Sequence, residues 1–160
     1  MKSVKAFSDN HLKIFIGSDN DGYEIKNRIY VSLGVPSDLL ITDIGVESSE
    51  IQTDASIITG IISSLVLENI ESKGILFCKW GIETSIMANK FDGIRAIVGI
   101  NTDIAMIGRE IYNANILCIP TEILNFESVR DIVRTFIDTK FVNSMESIRK
   151  SYIMENLQTQ

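Results

Sequence analysis

Five short apolar runs alternate with helical patterns along the 160 residues, and this alternation restricts the fold more than any other feature. The runs cover residues 12–17, 39–44, 74–77, 96–100 and 115–119. Strands that alternate with helices predict a parallel sheet with helices on both faces. We therefore expect one three-layer, Rossmann-like α/β domain over residues 1–160. Its five parallel strands are expected in the flavodoxin-like order, and a C-terminal helix is predicted from about residue 143.

Particular residues predict where the first two helices begin and end. Asp21 and Glu24 have the spacing of a capping box, and Gly34 with Pro36 predicts the end of the first helix. Asp54 is expected to begin the second helix. That helix carries a wide apolar stripe formed by Ile57, Ile58, Ile61, Ile62, Leu65 and Val66. The stripe is explained equally well by a dimer contact and by burial within the domain.

Composition argues against several functional classes. The net charge is −6 and no basic cluster is present, which argues against nucleic acid as a partner. The most apolar stretch, residues 55–67, is shorter than the roughly 20 residues of a membrane span, and no targeting signal is visible. Cys78 and Cys118 fit neither a metal spacing nor a disulfide framework. We expect a cytoplasmic protein with free thiols, no metal and no organic cofactor.

Asp19 and Cys78 follow the first and third predicted strands. In a flavodoxin-like order the switch point lies between these two strands, and ligands bind at the carboxyl ends of strands there. This position predicts a functional site. From the residues alone, Cys78 is more readily explained as a small buried cysteine, and Asp19 is explained about equally well as a turn or cap residue.

Residues 74–90 combine a strand, the cysteine at its end, a loop with one glycine and a short helical pattern. They resemble the ribose-5-phosphate isomerase B / galactose-6-phosphate isomerase (RpiB/LacAB) family. Its members read Cys-Gly-Thr-Gly-Ile-Gly, followed by Ser and Ala-Asn-Lys at the same spacing. Further matches in the same order are Ser18-Asp19 with Gly22, Gly93-Ile94-Arg95-Ala96, and Arg109-Glu110 with Asn113, Ala114 and Asn115. The resemblance extends from about residue 13 to residue 149.

The resemblance implies an isomerase of sugar phosphates, pentose phosphates among them, that interconverts aldose and ketose through an enediolate. Cys78 would be the base. The implied substrate-binding residues are Asp19, Asn20, Gly81, Ile82, Ser85 and Asn101, and the implied phosphate-binding residues are Arg109 and Arg149. Without the resemblance, the two arginines would be taken for solvated surface residues. Family members are dimers or tetramers with shared sites, so we expect a homodimer or tetramer, or assembly with a paralogous subunit.

Several positions differ from the family pattern. Asn20 stands where the family has His, and the family's ring-opening His aligns with Ile100. Lys79, Trp80 and Glu83 replace Gly, Thr and Gly. Lys79 and the following helix N-terminus are expected to favour the Cys78 thiolate, whereas the side chains of Lys79 and Glu83 are expected to restrict the loop backbone.

Three functions therefore remain open from the sequence. The first is an active isomerase for an atypical sugar phosphate, such as a four-carbon ketose phosphate that needs little ring opening. The second is a catalytically impaired paralogue that acts as a partner subunit. The third is a module that binds a different ligand.

Overall fold

The computed structural model describes residues 11–34, 37–45 and 53–157, and within these ranges five strands alternate with helices. The elements in chain order are β1 (Leu12–Ser18), α1 (Tyr23–Leu33), β2 (Leu39–Asp43), α2 (Ala55–Glu68), β3 (Lys73–Cys78), α3 (Ile82–Ala88), β4 (Ala96–Val98), α4 (Thr102–Glu110), β5 (Ile116–Pro120), α5 (Phe126–Asp138) and α6 (Met145–Leu157). The predicted C-terminal helix is α6. Pro36, which was expected to help end α1, lies outside the described residues.

The strands form one parallel sheet in the order β2-β1-β3-β5-β4. The parallel sheet is confirmed, and its first three strands follow the flavodoxin-like order. The last two do not, because β5 lies between β3 and β4. All five residues of β5 are buried, as an interior strand requires, whereas β4 has three half-buried residues and lies at the edge. The switch point remains between β1 and β3.

An amide side chain completes the hydrogen bonding at edge strand β4. The Asn89 side-chain oxygen accepts from the Ala96 N–H (2.8 Å), and its Nδ2 donates to the Ala96 carbonyl (2.9 Å). Nδ2 also donates to the Ser85 carbonyl in α3. Asn89 therefore ties the end of α3 to the edge of the sheet.

Helices cover both faces of the sheet, as the alternation predicts. On one face, Ile29 of α1 and Phe136 of α5 are fully buried against the strands. On the other face, Ile62 of α2 and Ala88 of α3 are fully buried in a second cluster. The sheet is therefore the middle layer of the predicted three-layer domain.

The apolar stripe of α2 is divided between core and surface. Ile58, Ile62 and Val66 are buried, whereas 57% of Ile57 and 43% of Ile61 is exposed. Burial within the domain thus accounts for only part of the stripe. Three more large apolar residues are exposed in or just before α3, namely Trp80, Ile82 and Ile86. We call these five exposed residues of α2 and α3 the α2/α3 face.

The start of α1 differs from the capping box that was predicted. Its N-cap is Gly22, and no side chain caps it. Asp19 instead accepts the Gly22 N–H at 2.9 Å, so the turn is closed by the residue that directly follows β1. The start of α2 is as predicted, because the Asp54 carboxylate accepts the Ser56 N–H at 2.8 Å.

Among the helices in the described ranges, none has the length and apolar character of a membrane span.

Candidate active site

Asp19 and Cys78 lie side by side at the carboxyl edge of the sheet. β1 and β3 are neighbours, and Ser18 pairs with Phe77 one residue before them. The turn after β1 lies directly on β3, since a Cβ at Gly22 would be 2.1 Å from the Phe77 carbonyl oxygen. The structure therefore brings together the two chemical groups that the topology placed at the switch point.

The Cys78 sulfur is buried and contacts a hydroxyl group. Its Sγ lies 2.9 Å from Oγ1 of Thr84, and only 2% of Thr84 is exposed. The same hydroxyl lies 3.4 Å from the Gly81 carbonyl oxygen, to which it can donate instead of to the sulfur. Sequence analysis did not identify Thr84. The available signal was a polar residue one helical turn before Ala88, on the inner face of α3.

The pKa of the Cys78 thiol is raised above its ordinary value, and burial is the main cause. The Asp19 and Glu83 carboxylates raise this pKa further, whereas the Thr84 hydroxyl and the Gly81 N–H oppose the shift. Of the two groups predicted to favour the thiolate, the N-terminus of α3 acts in that direction through the Gly81 N–H, whereas no contribution from Lys79 is found. Lys79 is exposed, and it is not among the groups that shift this pKa. Cys118 is fully buried in the core, and burial raises its pKa as well.

Burial also raises the pKa of the Asp19 carboxyl. The Asp21 carboxylate acts in the same direction, and backbone N–H groups of Gly22, Asp21 and Lys79 act against it. The Lys79 N–H thus interacts with the carboxylate of Asp19. Two titratable groups of different kinds, a thiol and a carboxyl group, therefore lie together at this edge of the sheet with raised pKa values.

The loop after Cys78 is held by its backbone. Gly81 has φ 71° and is the N-cap of α3, so this position favours glycine. Lys79 and Glu83 are not among the described residues with positive φ, so the left-handed conformation in this loop is confined to Gly81. The Cys78 carbonyl accepts the Thr121 N–H at 2.9 Å, which joins the loop to the end of β5. Half of Trp80 is exposed, so its ring is not a core residue.

Three predicted ligand side chains make contacts within the chain. Asn20 Oδ1 accepts the Thr53 N–H at 3.0 Å, which links the turn after β1 to the start of α2. Ser85 Oγ donates to the Ile82 carbonyl inside α3 (2.8 Å). Asn101 caps α4 and follows β4, so β5 separates it from β3. Ile82, the first residue of α3, is 59% exposed.

The two predicted phosphate-binding arginines do not join Cys78 in one chain. Arg109 Nε donates to the Thr139 carbonyl (3.3 Å), and its Nη1 donates to the Ala114 carbonyl before β5. These acceptors place the buried guanidinium at the amino edge of the sheet, opposite Cys78. Arg109 is therefore not available to a ligand at Cys78 of the same chain. Arg149 is exposed on α6, which also begins from the amino edge.

The described residues contain no group of three His, Cys, Asp or Glu side chains that could hold a metal ion. The site consists instead of the thiol, the carboxylate, the Thr84 hydroxyl and the Gly81 N–H.

Comparison with known proteins relates this chain to a family of isomerases. A family model described as Ribose/Galactose Isomerase matches residues 14–153. Ribose-5-phosphate isomerase B of Escherichia coli (strain K12) is 31% identical over 129 residues, which cover 81% of this chain and 85% of that protein. D-erythrulose-4-phosphate isomerase 2 of Mycolicibacterium smegmatis is 27% identical over 133 residues, covering 81% and 86%.

A solved structure agrees with the sequence matches. The crystal structure of a ribose 5-phosphate isomerase from Thermotoga maritima superposes with a TM-score of 0.83 at 32% identity. The match covers 91% of this chain and 99% of that chain. The similarity therefore includes nearly the whole fold.

Proposed function

Because the chain belongs to the ribose/galactose isomerase family, we propose that it interconverts an aldose phosphate and a ketose phosphate with Cys78 as the base. The observation that carries this assignment is the position of Cys78 beside Asp19 at the switch point of the sheet. Cys78 can exchange a proton with a substrate carbon there, while Asp19 exchanges a proton with a substrate oxygen.

The proton transfers can be assigned to these groups. The Cys78 thiolate takes the proton from C2 of the aldose, the C–H electron pair forms a C1–C2 double bond, and O1 becomes negative. The Asp19 carboxylate then takes the O2 hydroxyl proton and delivers it to O1. The thiol returns its proton to C1, which leaves a carbonyl at C2 and regenerates the thiolate. We assign the Ile82 N–H, at the start of α3, as a donor to O1 in the intermediate.

The raised pKa of Cys78 has two opposing effects in this mechanism. A thiolate with a higher pKa is a stronger base toward carbon, but a smaller fraction of the enzyme carries it at neutral pH. Thr84 limits this loss, because a hydroxyl that donates to the sulfur stabilises the thiolate.

A four-carbon sugar phosphate fits the chain as substrate. A tetrose with phosphate on O4 has no free hydroxyl that can close a five-membered ring, so it reacts in open-chain form. The chain has one histidine, His11, which precedes β1, and Ile100 occupies the position that the resemblance aligned with the ring-opening His. The similarity to a D-erythrulose-4-phosphate isomerase supports the same substrate class.

We also propose that the active form is a homodimer through the α2/α3 face. Ile57, Trp80 and Ile82 are each more than half exposed in the single chain, and a second copy would cover them. Arg149 would then supply the phosphate contact from the other subunit, since neither arginine reaches Cys78 within one chain.

The test follows proton exchange on defined substrates in D2O. The purified protein is incubated with D-erythrulose 4-phosphate, ribose 5-phosphate and a hexose 6-phosphate, and NMR detects isomerisation and deuterium at the exchanging carbon. We expect turnover of the four-carbon substrate and a loss of about 100-fold or more in Cys78→Ala. The absence of turnover on all three substrates would exclude isomerase activity. Turnover that survives in Cys78→Ala would show that the protein is an isomerase but that Cys78 is not its base.

A second candidate is a catalytically impaired paralogue that acts as a partner subunit or binds another ligand. The raised pKa of Cys78 and the internal hydrogen bonds of Asn20 and Asn101 favour it. Native mass spectrometry distinguishes the two candidates. A homogeneous oligomer with turnover supports the isomerase, whereas an inactive chain that copurifies with a paralogue supports the partner subunit. An inactive chain stabilised only by a non-phosphorylated ligand supports the binding module.

A further inference from the structure

A cavity of about 780 Å³ opens at the amino edge of the sheet, and four basic side chains line it, the exposed Lys140 and three that are buried or half-buried. Lys73 begins β3, Arg95 precedes β4, and Arg109 is in the last turn of α4. Lys73 and Cys78 are the two ends of β3, so a rise of roughly 3.3 Å per residue puts them about 16 Å apart. The cavity is thus separate from the candidate active site of the same chain.

Lys73 and Arg109 are buried and Arg95 is half-buried, and none of these three has an ion-pair partner among the described residues. Only 5% of Lys73 and 8% of Arg109 is exposed. Within the described ranges, none of the three basic residues lies within 4 Å of a carboxylate oxygen; the ion pairs present involve other residues. Buried cations without a counter-ion are unfavourable, because desolvation is not offset by a nearby opposite charge.

The hydrogen bonds of these groups go to neutral acceptors. Lys73 Nζ donates to the Ile137 carbonyl at 2.8 Å, and Arg95 Nε donates to the Asn113 carbonyl at 2.9 Å. Arg109 Nη1 donates to Asn113 Oδ1 at 3.0 Å. An ammonium carries three donors, and the described residues provide one acceptor for that of Lys73. Lys73 therefore has donors left for a ligand in the cavity.

The three charges also repel one another. The pKa of Lys73 is lowered to about 8, first by burial and then by Arg109. The pKa of Arg109 is lowered to about 10 by burial and by Arg95. The Asp138 and Glu71 carboxylates, which also line the cavity, oppose the shift of Lys73 but remain beyond ion-pair distance. A bound anion would relieve both the desolvation and the repulsion.

We propose that this cavity is a binding site for a doubly charged oxyanion, such as a phosphoryl or sulfuryl group, with Lys73 as its principal contact. The polar lining supports an anion over an apolar ligand, since the amides of Asn69, Asn113 and Asn115 surround the basic groups. This assignment does not depend on isomerase activity.

Calorimetric titration with sulfate tests the site directly. Sulfate does not titrate near pH 8, so any proton taken up on binding is taken up by the protein from the buffer. Because Lys73 is about half protonated at pH 8, we expect up to about 0.5 proton taken up per sulfate bound, read from two buffers with different ionisation enthalpies. Ionic strength is held constant with chloride, since a site of this kind is weakened by salt.

Matched variants assign the binding to this cavity. Lys73→Met removes the charge and keeps the length of the side chain, and it should weaken sulfate binding at least tenfold and abolish the proton uptake. Lys150→Met removes one charge on α6, away from this cavity, and should leave both unchanged. Cys78→Ala should also leave them unchanged. The proposal is overturned if the wild type does not bind sulfate, or if folded Lys73→Met binds it as tightly with the same proton uptake.

Discussion

The hydroxyl of Thr84 lies 2.9 Å from the sulfur of Cys78, and both groups are buried. When the cysteine is a thiolate, the hydroxyl must donate to sulfur. When it is a thiol, the hydroxyl can accept from S–H and turn its own proton toward the Gly81 carbonyl at 3.4 Å. The orientation of one hydroxyl is therefore coupled to the protonation state of the proposed base.

Thr84→Val should raise the pKa of Cys78 further. A hydrogen bond to a charged group contributes about 1.5–3 kcal/mol, which corresponds to an increase of about one to two pKa units. Thiolate absorbance at 240 nm, taken as the difference between each protein and its Cys78→Ala counterpart, measures this pKa. Thr84→Ser keeps the hydroxyl and should restore a value near that of the wild type. A Val variant with unchanged pKa would show that the contact does not stabilise the thiolate.

Asp19→Asn should shift the pKa of Cys78 in the opposite direction. The Asp19 carboxylate disfavours the neighbouring negative charge, so its removal lowers the thiol pKa. In the wild type, kcat/KM should rise with pH toward a thiol pKa above the ordinary 9.0, and in Asp19→Asn this rising limb should lie at lower pH. At its plateau the variant should still be slower, because it lacks the proposed proton carrier between O1 and O2. An unshifted limb would contradict the coupling between the two groups.

Lys26→Ala should be strongly destabilising. Lys26 is 1% exposed, and its ammonium lies 2.6 and 2.8 Å from the Asp43 carboxylate oxygens. Removing one member of a buried pair costs about 3–5 kcal/mol, and the partial exposure of Asp43 (29%) favours the lower end. Urea unfolding measures this loss. Arg130→Ala is the matched control, since its pair with Asp131 is exposed and should contribute less than about 1 kcal/mol. Equal losses in both variants would contradict the role of burial.

The element pattern predicted the neighbourhood of Asp19 and Cys78, but not every neighbour in the sheet. Apolar runs identify β4 and β5 without stating which one lies beside β3. The positions of β4 and β5 are exchanged relative to the flavodoxin-like order because of how the strands pack in the folded domain. The three-residue β4 suits the edge of the sheet, and the fully buried β5 suits its interior.

Thr84 and Arg109 differ in whether the sequence could have predicted their positions. The Thr84 contact depends on how α3 is rotated about its own axis. In a helix this short, the sequence does not show which polar residue faces the core and which faces solvent. The position of Arg109, in contrast, could have been predicted from the sequence. A crossover helix runs back toward the amino edge, so a residue in the last turn of α4 lies far from a site at the carboxyl edge.

Gly81→Ala should disturb both the stability of the fold and the environment of Cys78. Gly81 has φ 71°, and an added Cβ would lie 3.0 Å from Val98 Cγ1. The left-handed backbone costs an alanine about 1–2 kcal/mol, and the contact with Val98 adds to this. Since the Gly81 N–H lowers the pKa of Cys78, a shifted loop should raise that pKa.

Gly60→Ala provides the control for this prediction. Gly60 lies inside α2 with ordinary φ, and an added Cβ would meet only Phe91 at 3.8 Å. Alanine at a helical glycine is favourable by up to about 1 kcal/mol, so this variant should be as stable as the wild type or more stable. Urea unfolding and the thiolate titration, performed on both variants, separate the two effects. If Gly81→Ala were as stable as Gly60→Ala and its thiol pKa unchanged, the loop would not require the left-handed glycine to hold the N–H at the sulfur.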